Sequence, residues 1–464
     1  MIRTWILNLW DSFRTSFWFV PTLLTLCAVV VASLLPWGDE RVSGFVVERL
    51  PWLVSTSASA RSALGAMAGA MVTVAGVVLS ITVVALSMTS SQYGPRLLRT
   101  FMSNTSTQFA LGMFIATSTY CLLVLREVRG GPEDEAFVPH LSVSVGVLLS
   151  VFSIGVLIYF IHEVAMSVQA PRVVQLVAAE IDNSIDRLYP DAMGASLDSV
   201  EGHGEVVMQL AALGDSFSKC NARHEGYMQA IDADGVLRLA TKHDVVIHLL
   251  QRPGDFLVRN NPLAHVWPAG RDTDEIEQEL NELLIVGNRR TPRQDAECAI
   301  LELVEVAVRA LSPGINDPFT AMNCVDRLTA SLSRLAKKQI PSPFRRDEDG
   351  RLRVIALSRS FDEILNSAFD QIRRHAKRDV AVTRRLLLGL KTVFEATLTE
   401  RDRNAVIRQV AMIADSGQQA IAVEADQKMI QSLCDEIRQS RDGTDQKRPS
   451  PSPAKKLAVA DSDG

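Results

Sequence analysis

The sequence predicts a mainly α protein divided between two solvents: a four-helix transmembrane domain, then a cytoplasmic α+β region with a small β-barrel or sandwich and a helical module. Three observations predict it. Residues 1–170 hold nine arginines, no lysine and nine acidic residues, about 11% charged, against about 28% for the rest of the chain. The first lysine of all is Lys219, as expected if a strongly hydrated ammonium is a liability in the environment of the front third. Four windows, 15–38, 62–95, 100–125 and 136–161, carry no Asp, Glu, Lys or Arg.

Each window exceeds the ~20 residues that cross a hydrocarbon core of ~30 Å. They place spans at about 17–36, 64–88, 107–125 and 141–162. Buried helices of a soluble core rarely run four in succession without a charge on their faces. The first window is a retained anchor rather than a cleaved signal, because its apolar stretch is too long and no clean small-x-small site follows. An even number of spans returns both termini to one side. The long Lys- and Arg-containing remainder has no export signal, which predicts both termini in the cytoplasm of a bacterial inner membrane. The flanking arginines divide six against five and do not discriminate. Glu133-Asp134-Glu135, before the fourth span, then faces outward.

The second span carries Gly65, Gly69, Thr73, Gly76, Ser80, Ser87 and Ser91 at helical spacing, so that small or weakly polar groups share one face. The opposite face reads as Val, Leu, Ile and Met. Lipid tails give helices no hydrophobic reason to associate, and such a stripe marks where two backbones approach closely; Gly65 and Gly69 form a GxxxG pair. The same face, in an oligomer, suits the lining of a water-filled path hydrated by Thr73, Ser80 and Ser87. No span has a mid-membrane charge, so proton relays and voltage sensing lack their usual residues.

After the spans, residues 171–222 read as a connecting helix, with Val174, Val177, Ile181 and Ile185 at helix period, and a linker. Residues 223–270 read as a small β domain. Short β-type runs at 227–231, 245–250, 256–258 and 263–266 are separated by Asp234-Gly235, Pro253-Gly254-Asp255 and Asn260-Asn261-Pro262. Helices are expected over 272–286, 295–311, 318–338, 361–377, 380–398, 401–413 and about 418–439, making residues 271–440 a helical cytoplasmic domain. The Ser-, Pro-, Lys- and Asp-rich tail, 441–464, is expected to be disordered.

The net charge of −5 leaves no basic excess to grip a phosphate backbone, so nucleic acid is not an expected partner. Cys27 and Cys121 fall in spans, and Cys220, Cys298, Cys324 and Cys434 have neither disulfide nor metal spacing. His224, His243, His248 and His265 share the β region with several aspartates, but their spacing matches no ligand motif, and no metal or cofactor is expected. The strongest constellation is Gly287-Asn288-Arg289-Arg290-Thr291-Pro292-Arg293-Gln294-Asp295, leading into a helix that ends at Ser312-Pro313-Gly314-Ile315-Asn316-Asp317-Pro318. Arg289, Arg290 and Arg293 beside free helical N–H groups suit an anion, with Asp295, Asn316 and Asp317 completing the candidate site. The plainer reading is a helix-turn-helix corner in which Asp295 and Asp317 cap and Arg pairs with Asp. Glu305 and Arg309 form an i, i+4 pair that needs no further role.

Several of these segments resemble one known family. They are Ala70-Met71-Val72-Thr73-Val74-Ala75-Gly76-Val77-Val78 through Ser90-Ser91-Gln92-Tyr93-Gly94-Pro95-Arg96-Leu97-Leu98, and Gly226-Tyr227-Met228-Gln229-Ala230-Ile231-Asp232. Arg252-Pro253-Gly254-Asp255-Phe256, Arg290-Thr291 with Gln294-Asp295, and the run from Ala310 to Pro318 complete the set. Together they resemble a family of bacterial predicted membrane proteins, domain of unknown function 2254, over most of the chain to about Ser416. Glu297-Cys298-Ala299 departs from the family's pattern of an aromatic and a glycine. The resemblance implies a membrane address and a recurring cytoplasmic module, and brings no reaction, cofactor or substrate.

Two functions are expected in consequence. One is an oligomeric channel- or transport-type protein whose second span lines or abuts a pathway, with the lipid bilayer and further copies of the chain as partners. The alternative is a membrane-anchored sensor or scaffold that binds a small anionic ligand at Arg289, Arg290 and Arg293. An enzyme needs a pocket that brings His243 or His248 together with Asp255.

Overall fold

The computed structural model describes residues 18–49, 56–94, 105–129, 137–189, 203–270 and 272–445. The acidic run Glu133-Asp134-Glu135, the linker over 190–202 and the tail from 446 lie outside the described residues.

Four long apolar helices come first: α1 (Phe19–Arg49), α2 (Ser57–Tyr93), α3 (Thr105–Glu127) and α4 (His140–Ser167). Each is long and apolar enough to cross a membrane. Helix α3 is the centre of the bundle and packs against the other three, with 67% of its apolar window buried against 17–33% for theirs. Small and hydroxyl-bearing residues hold it there. A Cβ on Gly112 would lie 2.8 Å from Pro21 Cα of α1. The Ser118 hydroxyl donates to Ala68 O of α2 at 3.0 Å, and Thr117 meets Ser153 of α4 at 3.1 Å. At one end of the bundle Asp39 of α1 accepts from the first backbone N–H groups of α4, Leu141 and Ser142, both at 2.9 Å. A carboxylate there satisfies orphan donors and complements the positive end of the helix.

At the opposite end the bundle runs into the soluble module. Helix α2 has 37 residues, about 55 Å at the α-helical rise, well beyond the hydrocarbon thickness. Its last residue, Tyr93, is buried in the module's core with Val173, Val174, Leu303 and Ala307. The Tyr93 hydroxyl donates to Val168 O at 3.1 Å, in the short break between α4 and α5 (Ala170–Leu188). Two membrane helices thus enter the module side by side and are tied where they do so.

The module's helical part joins α5 to α9 (Ala296–Ala310), α10 (Pro318–Leu335), α11 (Phe361–Ala376), α12 (Val380–Ala396), α13 (Glu400–Ala420) and α14 (Glu424–Asp445) around one apolar core. The boundaries follow capping rules: Asp295, Asp317, Ser360, Asp379 and Thr399 each accept from a backbone N–H three residues on.

The β part lies between α6 (His203–Leu213) and α11. Its strands are β1 (Ser218–Asn221), β2 (Gly226–Ile231), β3 (Val246–Leu249), β4 (Phe256–Leu257), β5 (Pro262–Trp267), β6 (Leu284–Gly287), β7 (Phe344–Arg346) and β8 (Leu352–Ala356). The expected small barrel or sandwich takes the form of two open sheets, ordered β1-β5-β3-β8-β7 and β4-β2-β6. They share a core with α7 (Ala233–Lys242) and α8 (Thr273–Glu282). Three features differ from or go beyond the local patterns. Asp234-Gly235, which separates two β-type runs, lies in a helix: the Asp232 side chain accepts from Gly235 N–H and starts α7. The helix expected over 272–286 stops at Glu282, and its apolar end pairs with β2 as β6. Strand β8 pairs in parallel with β3, about a hundred residues away, a contact no local pattern announces.

Candidate functional site

Where the β part meets the helices, seven charged side chains interlock. The loop after β3 starts it. Gly254 sits at φ +98°, and a Cβ there would lie 2.3 Å from Asp295 Oδ2, so only glycine permits the approach. Asp295 caps α9 and pairs with Arg290 at 2.6 Å, its side chain 1% exposed. Arg290 also donates to Glu297 at 2.7 Å. Arg359 bridges Glu297 at 3.1 Å and Asp255 at 3.3 Å. Arg252 grips Glu363 with both terminal nitrogens, and Glu363 in turn forms a capping box with Ser360.

Burial pushes the Asp295 carboxyl above its ordinary range against the pull of Arg290. Burial also opposes the Glu297 and Glu363 charges. Hydrogen bonds from Ser367 and Arg290 to Glu297, and from Arg252 and the Ser360 backbone to Glu363, outweigh it and hold both below the usual carboxylate range. Such a cluster is an ordering device more than a source of stability, since desolvation offsets much of the attraction.

The cluster forms one wall of a cavity of about 290 Å³. Arg252, Arg345, Arg359, Asp295, Tyr189, Gln294 and Ser358 are among its polar lining, and Ile231, Val236, Leu249 and Val354 among its apolar lining. The Arg345 guanidinium donates to the backbone carbonyls of Ser342 and Phe344, and Arg359 Nε is buried without a hydrogen-bond partner. The cavity therefore sets three guanidinium groups and one buried carboxylate above an apolar floor.

The constellation read from the sequence is divided by the structure. Arg290 and Asp295 lie in the cluster at the start of α9. Arg289 is exposed, and its carbonyl accepts from Gln229 of β2 at 2.9 Å. Arg293 is half-buried, and its carbonyl accepts from Arg187 of α5 at 3.0 Å. Asn316, at φ +48°, and Asp317 lie beyond the other end of α9. Asp317 there accepts from Thr320 N–H at 3.1 Å, as helix-start rules require. Fifteen helical residues, about 22 Å, separate the two groups.

That second end of α9 receives α2. A Cβ on Gly94, φ +112°, would lie 2.4 Å from Glu305 Oε1. Arg309 pairs with Glu305 at 3.4 Å as its spacing suggests, and also donates to Ser91 O at 3.3 Å. The pair stands where α9 meets the end of α2. Helix α9 thus spans from the cavity wall to the end of a membrane span.

In the bilayer region, Gly65, Gly69, Thr73, Gly76, Ser80 and Ser87 are all exposed on α2, and a Cβ at any of the three glycines meets nothing within 4 Å. The packed face is Ala60, Leu64, Ala68, Met71, Ala75, Val78 and Thr82. Large β-branched residues that flank the small stripe, such as Val72, Val77, Ile81 and Val84, are exposed as well. In lipid, large apolar groups gain nothing by leaving the solvent, so they can stay on the outward face while small and large residues share the packed one.

Sequence reasoning missed Arg252, Glu297, Arg359 and Glu363 as a set. The Ser360-x-x-Glu363 box was the one local signal. His243 and His248 do not converge on Asp255: His243 faces Asp272, His248 lies near His265, and Asp255 pairs with Arg359.

The comparisons agree with this anatomy. The model of the predicted membrane protein family DUF2254 matches residues 14–392. The chain belongs to that family. Uncharacterised proteins of Mycobacterium tuberculosis and Mycobacterium bovis are similar to this DUF2254 chain, 30% identical over 427 residues, covering 90% of it and 80% of theirs. No solved structure matches it. DUF2254 here denotes a multi-pass membrane protein with four membrane helices and a large α+β module.

Proposed function

We propose that this chain is an oligomeric channel- or transport-type membrane protein in which the soluble module acts on the second span. The carrying observation is α2 itself: one unbroken helix whose membrane portion presents an uncovered stripe of Gly65, Gly69, Thr73, Gly76, Ser80 and Ser87 and whose end is buried in the module's core. Among the described residues the stripe faces no other helix, and in this reading its partner is a second copy or a pathway between copies. Movement of α9 reaches α2 through Arg309, Glu305 and Gly94, which gives the module a lever on the span. Bilayers reconstituted with the purified protein test this directly. Conductance lost in Gly76→Leu and Ser80→Leu supports the reading; no conductance, or conductance indifferent to both, removes it.

The sensor reading keeps one observation in its favour, the cationic cavity. Arg290, Arg252 and Arg359 are each paired with carboxylates, so an anionic ligand entering here would meet Arg345 first. Thermal shift of the full chain with nucleotides and phospholipid headgroups, lost in Arg345→Ala, supports that role; no shift with any of them counts against it.

A further inference from the structure

His243 ends α7, and α8 presents Glu275 and Glu279 to it, one helical turn apart. One ring nitrogen of His243 and one carboxylate oxygen of each glutamate lie within 4.8 Å of one another. The imidazole is more than nine-tenths buried, its side chain 6% exposed, and its Nε2 has no hydrogen-bond partner. A buried ring nitrogen left unsatisfied is a cost unless something occupies it. The other nitrogen, Nδ1, stands 3.5 Å from Asp272 Oδ2. A carboxylate at that distance can close to a hydrogen bond, the arrangement in which a second-shell carboxylate orients a metal-binding imidazole. Lys242 Nζ donates to Glu275 at 3.2 Å and to Glu279 at 2.6 Å.

We propose that His243, Glu275 and Glu279 bind a first-row divalent cation of the zinc class, with Asp272 orienting the imidazole and Lys242 as the resident counter-ion that the metal displaces. One nitrogen and two carboxylate oxygens form a borderline-to-hard donor set, and water fills the remaining position. Ligands of a tetrahedral ion with bonds of ~2.0–2.1 Å lie roughly 3.3 Å apart, so from separations within 4.8 Å the groups close by up to roughly 1.5 Å, which the glutamate torsions allow. The Lys242 ammonium is half-exposed on a flexible stem. Its surface ion pairs are weak and yield to a doubly charged ion. The metal then clips α7 to α8 across the core that both sheets share, independently of the cavity and of the bilayer.

The test is calorimetric titration of the full-length, chelator-stripped protein in detergent with zinc chloride alone. One saturable site per chain is expected. His243→Ala and Glu279→Gln each weaken it by about tenfold to a hundredfold, and Asp272→Asn by about tenfold. Lys242→Ala strengthens it severalfold, a change of opposite sign that a merely structural role for these residues does not produce. Glu279 is partly exposed and its variant guards against loss of fold at His243. No saturable site, a site unaltered by Glu279→Gln, or weaker binding in Lys242→Ala overturns the proposal.

Discussion

The two ends of this molecule differ in what they turn outward. In the bundle, α2 packs through Ala60, Leu64, Ala68, Met71, Ala75 and Val78 and turns Val72, Val77, Ile81 and Val84 outward. In the module, α11 buries Phe361, Ile364, Leu365, Phe369 and Ile372 and turns Arg374 and His375 outward. The difference teaches that one rule operates with two solvents. In water the hydrophobic effect rewards burying the largest apolar groups; in lipid that reward vanishes, and close backbone approach and hydroxyl-to-carbonyl bonds decide the contact. The polar clusters follow the same division. In the bundle, Ser118 and Thr117 bind singly; in the module, Arg252, Arg290 and Arg359 form a network with four carboxylates.

The comparison is most exposed at Asp295. Asp295→Ala removes both the cap of α9 and the partner of a half-buried guanidinium, and is expected to lower module stability by about 3–5 kcal/mol in denaturant unfolding of the detergent-solubilised chain. A loss below about 1 kcal/mol shows instead that the network is a solvated surface feature.

Glycines sharpen the contrast within the membrane. Gly112→Ala meets Pro21 backbone at 2.8 Å and is expected to cost roughly 1–3 kcal/mol in resistance to unfolding, through overpacking. Gly76→Ala meets nothing within the protomer and is expected to leave the unfolding of detergent-separated protomers within about 0.5 kcal/mol of the parent. Equal effects at the two positions break the account of α3 as the packed centre and α2 as the open face.

A smaller, pH-dependent effect belongs to the sheets. Burial, with His265 adding to it, holds the His248 imidazole below its ordinary value of 6.5. The folded chain therefore binds fewer protons here than the unfolded chain, so the contribution is complete above pH 6.5 and is lost as pH falls through the window below it. Unfolding temperature measured from about pH 7 to about pH 5 should decline in the parent and decline less steeply in His248→Gln. An unchanged slope places the acid sensitivity in other groups.

Much of this anatomy was legible in the residues, for physical reasons that also mark where reading stopped. Spans announce themselves because the bilayer requires some twenty apolar residues in succession. Asp317-Pro318 and Asp295 announced helix starts because capping is local. Strand β6 was absorbed into the preceding helix because Leu284, Ile285 and Val286 continue its apolar pattern. Strand β8 and the partnership of Arg359 with Glu297 rest on contacts tens of residues apart, which periodicity does not encode. The anion constellation is divided for a simpler reason: its two halves lie beyond opposite ends of one helix, Asp295 capping α9 and Asp317 capping α10.

The central claim, that the open face of α2 is where copies of the chain meet, is tested most directly by oxidative cross-linking in native membranes. Single cysteines at Gly69, Gly76 and, as an exposed control off the stripe, Ile81 are placed in a chain whose six native cysteines have been replaced. The account predicts covalent dimers from Gly69→Cys and Gly76→Cys and few from Ile81→Cys. Dimers of equal yield at all three positions, or none at the two glycines, contradict it.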